Sequence, residues 1–194
     1  SKTVLLGIQY IIILKKEQVK NMDNITEKNL KEAFLSECEA YTSYIIYSLK
    51  AKEEKLGVIA KLFSDIAGNE FEHAEIWLDE LSENKNTIQN LMNALASEKY
   101  AYADMYKRMY MQAKQDGNEE LAKKFELTAK VEYTHAEKLT ETLKMIKDGT
   151  LFNRNKETVW VCLQCGNVVR GYSAPEHCPL CHYPQGYFTS KNCD

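Results

Sequence analysis

Two short stretches of the chain, GNEFEHAEIW and KVEYTHAEKL, each place a glutamate three residues before a histidine. The pairs are Glu70 with His73 and Glu132 with His135, and this spacing puts both members of a pair on one face of a helix. Apolar residues continue each face at spacings of three and four, which predicts that the pairs point into a core. Carboxylate and imidazole groups are suitable ligands for iron or manganese. A single pair is more often a solvated helix face, and a lone core histidine is more often hydrogen-bonded, so the metal hypothesis depends on the rest of the chain.

Four long helices are the elements that would position these pairs. Glycine and asparagine residues separate the helical patterns, as capping residues commonly do. The predicted helices cover approximately residues 26–54, 58–84, 88–116 and 119–149. Thr26 and Asn118 are the predicted N-caps of the first and last helix. Helices of this length with short connections predict an all-α, antiparallel four-helix bundle. The first and third helices each carry one glutamate, Glu37 and Glu98, in the middle of the apolar face.

These glutamates and histidines repeat along the chain. Glu70 lies 33 residues after Glu37, and Glu132 lies 34 residues after Glu98, which indicates a duplicated helix pair. Four carboxylates buried together are costly without counter-ions, and two divalent cations would neutralise their four negative charges. One glutamate per helix with two Glu-x-x-His pairs is the ligand set of di-iron carboxylate bundles. The sequence therefore predicts a di-iron site with the ligands Glu37, Glu70, His73, Glu98, Glu132 and His135.

Four tyrosines on the apolar faces are open to two interpretations. They are Tyr41, Tyr44, Tyr102 and Tyr106. Aromatic residues on such a face usually pack in the core. Those nearest the glutamates could also orient the carboxylates through hydrogen bonds.

A second motif, CLQCGNVVRGYSAPEHCPLC, contains two Cys-x-x-Cys pairs separated by twelve residues. Two such knuckles can close a tetrahedral four-thiolate metal site, with the ligands Cys162, Cys165, Cys178 and Cys181. The segment from residue 155 onward has about 40 residues, too few for a self-sufficient hydrophobic core, so a metal staple is expected. We predict short strands and turns around an apolar cluster of Trp160, Tyr172, Tyr187 and Phe188. Four cysteines alone favour zinc. A neighbouring redox-active di-iron site favours iron instead, because a mononuclear iron–sulfur centre carries one electron at a time.

The composition limits the possible functions. A chain of 194 residues with a net charge of −3 is acidic enough to argue against binding to nucleic acid or to a membrane surface. Four closely paired cysteines indicate a reducing compartment, so we expect a cytoplasmic protein. Residues 4–14 are apolar but too few to span a bilayer. The expected organisation is an N-terminal extension at 1–22, a bundle at 23–150 and a four-cysteine domain at 151–194. The N-terminal residues are either a tail or mis-called start, or a real extension or anchor.

With these motifs the chain resembles the rubrerythrins from about Thr26 to its end. The resemblance lies in NLKEAFLSECEAYTSY around Glu37, in GNEFEHAE, in ASEKYAYADMY at Glu98, in KVEYTHAEKL and in the two cysteine knuckles. It implies a ferritin-like di-iron bundle with a C-terminal rubredoxin-like domain, in a homodimer or larger homo-oligomer. It also implies a peroxidase that reduces hydrogen peroxide to water in defence against oxidative stress. Electrons would pass through the rubredoxin-like iron from an external donor, either a rubredoxin or an NADH-dependent reductase.

The resemblance also implies a role for each ligand. Glu70 and Glu132 would bridge the two irons, and Glu37 and Glu98 would be terminal ligands. Each histidine would bind one iron.

Two positions depart from the family pattern. Rubrerythrins usually carry a second glutamate three residues after the Glu98 position, where this chain has Ala101. They also tend to have a histidine two residues after the last rubredoxin cysteine, where this chain has Tyr183 beside His182. The first departure puts the family's redox-linked metal movement in doubt, and the second leaves the route of electron entry open.

The ligand set without the extra glutamate is that of a bacterioferritin. A ferroxidase or iron-sequestering ferritin-like protein is therefore the alternative function. A third possibility is a metal-stapled electron-transfer or interaction module with a vestigial bundle, against which the intact set of six ligands argues.

Overall fold

The computed structural model describes the backbone of residues 2–191 and the side chains of residues 25–191. The chain divides into two compact units, Ser1–Lys85 and Asn86–Asp194. The first unit is a pair of helices. The second contains a further helix pair and a small sheet.

The first unit is a helical hairpin of α1 (Lys2–Glu53) and α2 (Gly57–Glu80). Ser48 of α1 donates a buried hydrogen bond of 2.8 Å to the backbone carbonyl of Ala60 on α2. Every seventh residue of α2 from this point is a buried alanine, namely Ala60, Ala67 and Ala74. The distance between packed helices depends on the side chains at their contact, so these alanines let α1 and α2 approach closely.

α1 begins much earlier than the sequence pattern predicts. Thr26 lies inside this helix rather than at its N-cap, so that prediction is wrong. Residues 2–26 contain no proline and one glycine, and nothing in the backbone chemistry ends a helix there. Residue 1 and the side chains of residues 2–22, which make up the expected N-terminal extension, lie outside the described residues.

The second unit begins with another helix pair. Its helical segments are α3 (Thr87–Tyr100), a π-helical segment (Ala101–Met105), α4 (Tyr106–Gln115) and α5 (Glu119–Lys147). Asn86 and Asn118 cap α3 and α5, because each side-chain oxygen accepts a hydrogen bond of 3.1 Å from the backbone N–H three residues on. Gly117 and Gly149 follow the helix ends with φ of 72° and 65°, a left-handed conformation that favours glycine. The prediction of Asn118 as an N-cap is confirmed.

The π-helical segment is the main departure from the predicted helix at 88–116. The sequence pattern predicts a continuous α-helix, whereas Ala101–Met105 forms the wider turn with i to i+5 hydrogen bonds. Its residues, AYADM, are ordinary helix residues, so neither propensity nor periodicity signals the change. Such turns are rare and frequently occur at functional sites. This one begins three residues after Glu98.

The second unit ends in a three-stranded antiparallel sheet of order β2-β1-β3. The strands are β1 (Asn153–Cys162), β2 (Val168–Ser173) and β3 (Phe188–Lys191). Trp160 is fully buried, and its Nε1–H donates a hydrogen bond of 3.1 Å to the backbone carbonyl of Gly171. The buried cluster around it consists of Cys162, Ala174, Cys178 and Phe188. Two of these four are predicted metal ligands, so the metal site is part of the core.

The predicted apolar cluster of this domain is only half correct. Trp160 and Phe188 are buried, but Tyr172 and Tyr187 are 63 % and 42 % exposed. Side chains alternate between the two faces of a strand, and Tyr172 lies on the outer face of β2. Tyr187 instead packs its ring edge-on against Tyr183, with centroids 4.7 Å apart.

The predicted fold class is confirmed. Residues 2–191 are mostly helical, with four helices when α3, the π-helical segment and α4 are counted as one, followed by a small antiparallel sheet. Within the described part of the chain, no helix has both the length and the apolar character that crossing a membrane requires. The expected domain boundaries at residues 23 and 151 stay predictions.

Candidate metal centres

The first unit brings Glu37, Glu70 and His73 together. α1 supplies Glu37, and α2 supplies the Glu-x-x-His pair. The Nδ1 atom of His73 lies 3.0 Å from Oε2 of Glu70 and 3.8 Å from Oε2 of Glu37. One potential ligand atom of each residue lies within 4.8 Å of the other two. The carboxylate side chains of Glu37 and Glu70 are 25 % and 18 % exposed, so this triad combines two largely buried acids with one imidazole.

The second unit contains a triad of the same composition. α3 supplies Glu98, and α5 supplies Glu132 and His135. The Nδ1 atom of His135 lies 2.8 Å from Oε2 of Glu132 and 3.6 Å from Oε2 of Glu98. These distances are each 0.2 Å shorter than their counterparts in the first unit (3.0 and 3.8 Å). The duplication read from the sequence spacing is therefore reproduced in the geometry of the side chains.

Each triad fits one divalent cation. Two ionised carboxylates carry two negative charges, and the neutral imidazole adds a nitrogen lone pair without charge. Oxygen and imidazole donors of this kind suit iron. The structure thus brings the predicted carboxylate–histidine ligands together in two groups that could hold a metal ion, and their role as ligands stays a prediction. That the two triads form one di-iron centre, with Glu70 and Glu132 as bridges, stays a prediction.

In the second triad, desolvation and like-charge repulsion disfavour the ionised form of Glu98. Burial raises the pKa of Glu98 above its usual range, and the neighbouring carboxyl of Glu132 raises it further. His135 acts in the opposite direction but does not compensate. Placing a cation among these groups would offset both the desolvation and the like-charge repulsion.

Aromatic rings pack beside both triads. Tyr41 contacts Phe71 in the first unit at a centroid distance of 5.6 Å, and Tyr102 contacts Tyr133 in the second at 5.3 Å. Tyr44 and Tyr106 also make ring contacts, with Phe63 and Phe125. These contacts support the packing interpretation of the four tyrosines. A role of their hydroxyls in orienting the carboxylates stays a prediction.

The four cysteines of the two knuckles form a third group. The Sγ atoms of Cys162 and Cys181 are 3.7 Å apart, and those of Cys165 and Cys178 are also 3.7 Å apart. All four sulfur atoms lie within 4.8 Å of one another. A tetrahedron with metal–sulfur bonds of about 2.3 Å has edges of about 3.8 Å, so the cluster fits one four-coordinate metal ion. The four predicted cysteines are therefore close enough to hold one metal ion, and their role as ligands stays a prediction.

Backbone amides direct this cluster toward binding a cation. Burial alone raises the pKa of Cys178, but hydrogen bonds from the N–H groups of Cys181 and Leu180 and with the thiols of Cys181 and Cys165 together lower it to about 6. The N–H group of Asn167 lowers the pKa of Cys165, but the neighbouring thiols and desolvation prevail and raise it to about 12. Crowding therefore opposes several thiolates at once, and a bound metal ion would remove that opposition.

Sequence reasoning missed two features next to the second triad. One is the π-helical segment after Glu98. The other is Tyr133, which is not among the four tyrosines singled out from the helix faces, although it directly follows Glu132 in VEYTHAEK. A hydrogen bond to Glu137 and the charge of that carboxylate raise the pKa of Tyr133. Aligning the two Glu-x-x-His stretches in the sequence would have drawn attention to Tyr133, because it corresponds to Phe71 in the other stretch.

Two family models match the chain. A model described as Rubrerythrin matches residues 28–90 and 89–169, and one described as Rubrerythrin, rubredoxin-like domain, matches residues 160–189. The second match places the four-cysteine cluster in a rubredoxin-like domain, which implies electron transfer.

Curated relatives cover most of the chain. A rubrerythrin of Porphyromonas gingivalis is 34 % identical over 176 residues, spanning 84 % of this chain and 88 % of the relative. A putative rubrerythrin of Methanocaldococcus jannaschii is 32 % identical over 189 residues, spanning 86 % and 92 %. A rubrerythrin of Nitratidesulfovibrio vulgaris is 32 % identical over 176 residues, spanning 84 % and 92 %. Among solved structures, fully reduced, all-ferrous nigerythrin is 25 % identical over 86 % of each chain, with a TM-score of 0.32.

Proposed function

The chain belongs to the rubrerythrin family, and on that premise we propose that it is a non-haem di-iron peroxidase that reduces hydrogen peroxide to water. The observation that carries the proposal is the presence in one chain of two equivalent Glu-Glu-His triads and a four-cysteine cluster. The triads offer places for two irons that react with peroxide. The four-cysteine cluster offers a place for a third iron that passes on electrons.

The residues of the triads would hold the irons and balance their charge. Two ferrous ions carry four positive charges, and the four glutamates carry four negative ones. The histidines complete each ligand set with a neutral donor, through the Nδ1 atoms that already face the carboxylates. When bound, the iron pair would supply the two electrons that cleave the O–O bond of peroxide, and the iron of the four-cysteine cluster would supply single electrons. Glu70 and Glu132 are the residues we assign as bridges.

The cysteine knuckles would hold the electron-relay iron close to the surface. Cys165 is exposed, whereas Cys162 and Cys178 are buried in the sheet core. Leu163 and Leu180, one in each knuckle, are 66 % and 65 % exposed. An external donor, a rubredoxin or an NADH-dependent reductase, could therefore approach the cluster directly. We further propose a cytoplasmic homodimer or larger homo-oligomer that acts in defence against oxidative stress.

Kinetics of the anaerobically iron-loaded protein test the peroxidase function. We expect donor-driven turnover of hydrogen peroxide far faster than turnover of dioxygen, without accumulation of an iron mineral. His73→Ala and His135→Ala form a matched pair, and each should lower iron stoichiometry and peroxide turnover. Faster reaction with dioxygen than with peroxide, together with iron storage, would contradict the proposal.

One observation favours the alternative function. Position 101 carries alanine, so the side chain three residues after Glu98 supplies no further carboxylate. Each triad then keeps only two glutamates and one histidine, the symmetric ligand set of an iron-oxidising ferritin-like protein. Aerobic addition of excess Fe(II) distinguishes the two functions. A ferroxidase oxidises many equivalents of iron and retains them, whereas in a peroxidase the oxidation stops after about two iron ions per di-iron site.

A further inference from the structure

The two triads differ in the aromatic residue that stands beside them. In the first unit Tyr41 packs against Phe71, and in the second Tyr102 packs against Tyr133 at an interplanar angle of 83°. Tyr41 and Tyr102 each follow the first glutamate of their triad by four residues. Phe71 and Tyr133 each directly follow the second glutamate. At these two matched positions the units therefore differ by one phenol oxygen, which Tyr133 carries and Phe71 lacks.

A carboxylate completes the group in both units. Glu137 lies one helical turn after Tyr133 on α5, and both residues face the same cavity. Tyr102, Tyr133 and Glu137 line one cavity of about 540 Å³. A cavity of about 450 Å³ in the first unit is lined by the counterparts Tyr41, Phe71 and Glu75. There Phe71 has no hydroxyl to donate. Of the two described cavities, that of the second unit has a phenol directly after the second glutamate of the triad and one helical turn before a carboxylate, whereas that of the first unit has Phe71 at this position.

We propose that Tyr133, supported by Tyr102 and Glu137, is a one-electron donor to peroxide at the triad of the second unit. The inference rests on the proposed function, because it takes peroxide with ferrous ion at Glu98, Glu132 and His135 as the oxidant. Cleavage of peroxide to two waters takes two electrons, and one ferrous ion gives one. The phenol of Tyr133 gives the other whenever the second ferrous ion is missing or already oxidised.

The step balances in atoms and charge. One ferrous ion, one tyrosine, one hydrogen peroxide and one proton give one ferric ion, one tyrosyl radical and two waters. The O–O bond breaks, the iron and the phenol each lose one electron, and the phenolic proton passes through Glu137 to the water that forms. Tyr102, in edge contact with Tyr133, is placed to share the radical. Without such a donor, the second electron would come from whichever oxidisable side chain lies nearby.

Electron paramagnetic resonance of singly loaded protein tests this role without relying on turnover. The full chain receives one equivalent of Fe(II) under anaerobic conditions, then one equivalent of peroxide, and is frozen within milliseconds. We expect a tyrosyl radical signal that Tyr133→Phe abolishes and that Glu137→Gln weakens. Tyr172→Phe, at a 63 % exposed position on β2, is the matched control and should keep the signal. A radical that persists in Tyr133→Phe would overturn the assignment.

A matched pair of triad variants adds a second test. His73→Ala directs the single iron to the second unit and should give a strong radical, whereas His135→Ala directs it to the first unit and should give none. Adding Phe71→Tyr to His135→Ala should restore a signal, because the first unit then gains the missing phenol. Equal signals from the two histidine variants would show that the neighbouring aromatic residue does not matter.

Oxidation of the iron-free protein tests the ring pair by itself. A photochemically generated one-electron oxidant should couple Tyr102 to Tyr133 as dityrosine, detected by mass spectrometry in the linked tryptic peptides YAYADMYK and VEYTHAEK. Tyr183 and Tyr187, with centroids 4.7 Å apart, serve as the internal reference. Coupling of the reference pair without any Tyr102–Tyr133 product would overturn the proposal that Tyr102 shares the radical of Tyr133. Donor-driven turnover of the doubly loaded wild type is measured separately, so a failure of the peroxidase function is distinguishable from a failure of the tyrosine.

Discussion

Glu132→Gln should stabilise the metal-free protein and destabilise the metal-loaded one relative to wild type. The ligand atoms of Glu98, Glu132 and His135 lie within 4.8 Å of one another, and the side chains of the two acids are 28 % and 19 % exposed. Two negative charges 4.8 Å apart repel by about 3.5 kcal/mol at an effective dielectric constant of 20 and by about 0.9 kcal/mol in water. Because the site is partly solvated, we expect the neutral amide of Glu132→Gln to remove about 1–3 kcal/mol of this repulsion from the folded, metal-free protein.

The sign of the pH dependence follows from the pKa of Glu98. Burial and Glu132 raise this pKa, so the protonated acid is favoured in the folded state relative to the unfolded chain. The resulting destabilisation is absent below the ordinary pKa of a glutamate and grows as pH rises through the raised pKa. The advantage of Glu132→Gln in the metal-free protein should therefore be largest near neutral pH and shrink in acid.

Thermal unfolding followed by circular dichroism at 222 nm measures the effect. For a chain of this length, 1 kcal/mol corresponds to about 2–4 °C, so chelator-treated Glu132→Gln should melt about 2–12 °C higher than wild type. With ferrous ion at 100 times its dissociation constant, wild type gains about 2.7 kcal/mol from each bound ion. The variant, which lacks one ligand charge, should gain much less, and the order of stability should reverse.

The control is Glu120→Gln, the same chemical change on the same helix. Glu120 is 82 % exposed and pairs with Lys124 at 2.6 Å, so its replacement should have a small effect that is independent of metal. A metal-free Glu132→Gln protein that melts at or below the wild-type temperature would refute the argument, because the triad carboxylates would then not repel at a measurable cost.

Three further predictions concern the other parts of the structure. Cys178→Ser should abolish the red thiolate-to-iron absorption and donor-driven turnover, but it should leave one stoichiometric oxidation of the ferrous bundle by peroxide. A colourless, zinc-loaded protein with full donor-driven activity would contradict the relay role. Trp160→Phe removes a buried hydrogen bond to Gly171 and part of a fully buried ring, and should cost about 1–3 kcal/mol in the free energy of unfolding, measured by urea titration of the sheet. Ala101→Glu places a further carboxylate three residues after Glu98, and should strengthen Fe(II) binding in anaerobic titrations and change the ratio of peroxide to dioxygen rates; unchanged affinity and ratio would show that position 101 does not reach the metal.

Local spacing allowed the ligands to be predicted from the sequence. A separation of three residues in a helix fixes the relative direction of Glu70 and His73 whatever the rest of the chain does. A Cys-x-x-Cys pair likewise forms a knuckle through its own backbone. The structure accordingly brings Glu70 close to His73 and gathers the four cysteines into one cluster. Asn118 was recognisable as a helix cap for the same reason, since capping involves atoms only three residues apart.

Features that depend on continuity of a helix were harder to predict. The α-helical pattern gave no indication that α1 starts at Lys2 rather than at Thr26. Nor did it indicate the π-helical segment at Ala101–Met105, because the five residues have no preference that separates a π turn from an α turn. The free-energy difference between these local alternatives is small enough for the packing of neighbouring helices to decide between them.

The sequence by itself determined the chemistry of the site, which consists of four glutamates, two histidines and four cysteines. Each histidine lies one helical turn after a glutamate, and the cysteines form two Cys-x-x-Cys knuckles. Only the tertiary structure decided which side chains meet across helices. The contacts of Glu37 with His73, of Glu98 with His135 and of Tyr102 with Tyr133 depend on how each helix is rotated about its axis and how closely it approaches its neighbour. Those two quantities are set by the packing of many small side chains, such as the buried alanines of α2, and no single spacing in the sequence encodes them.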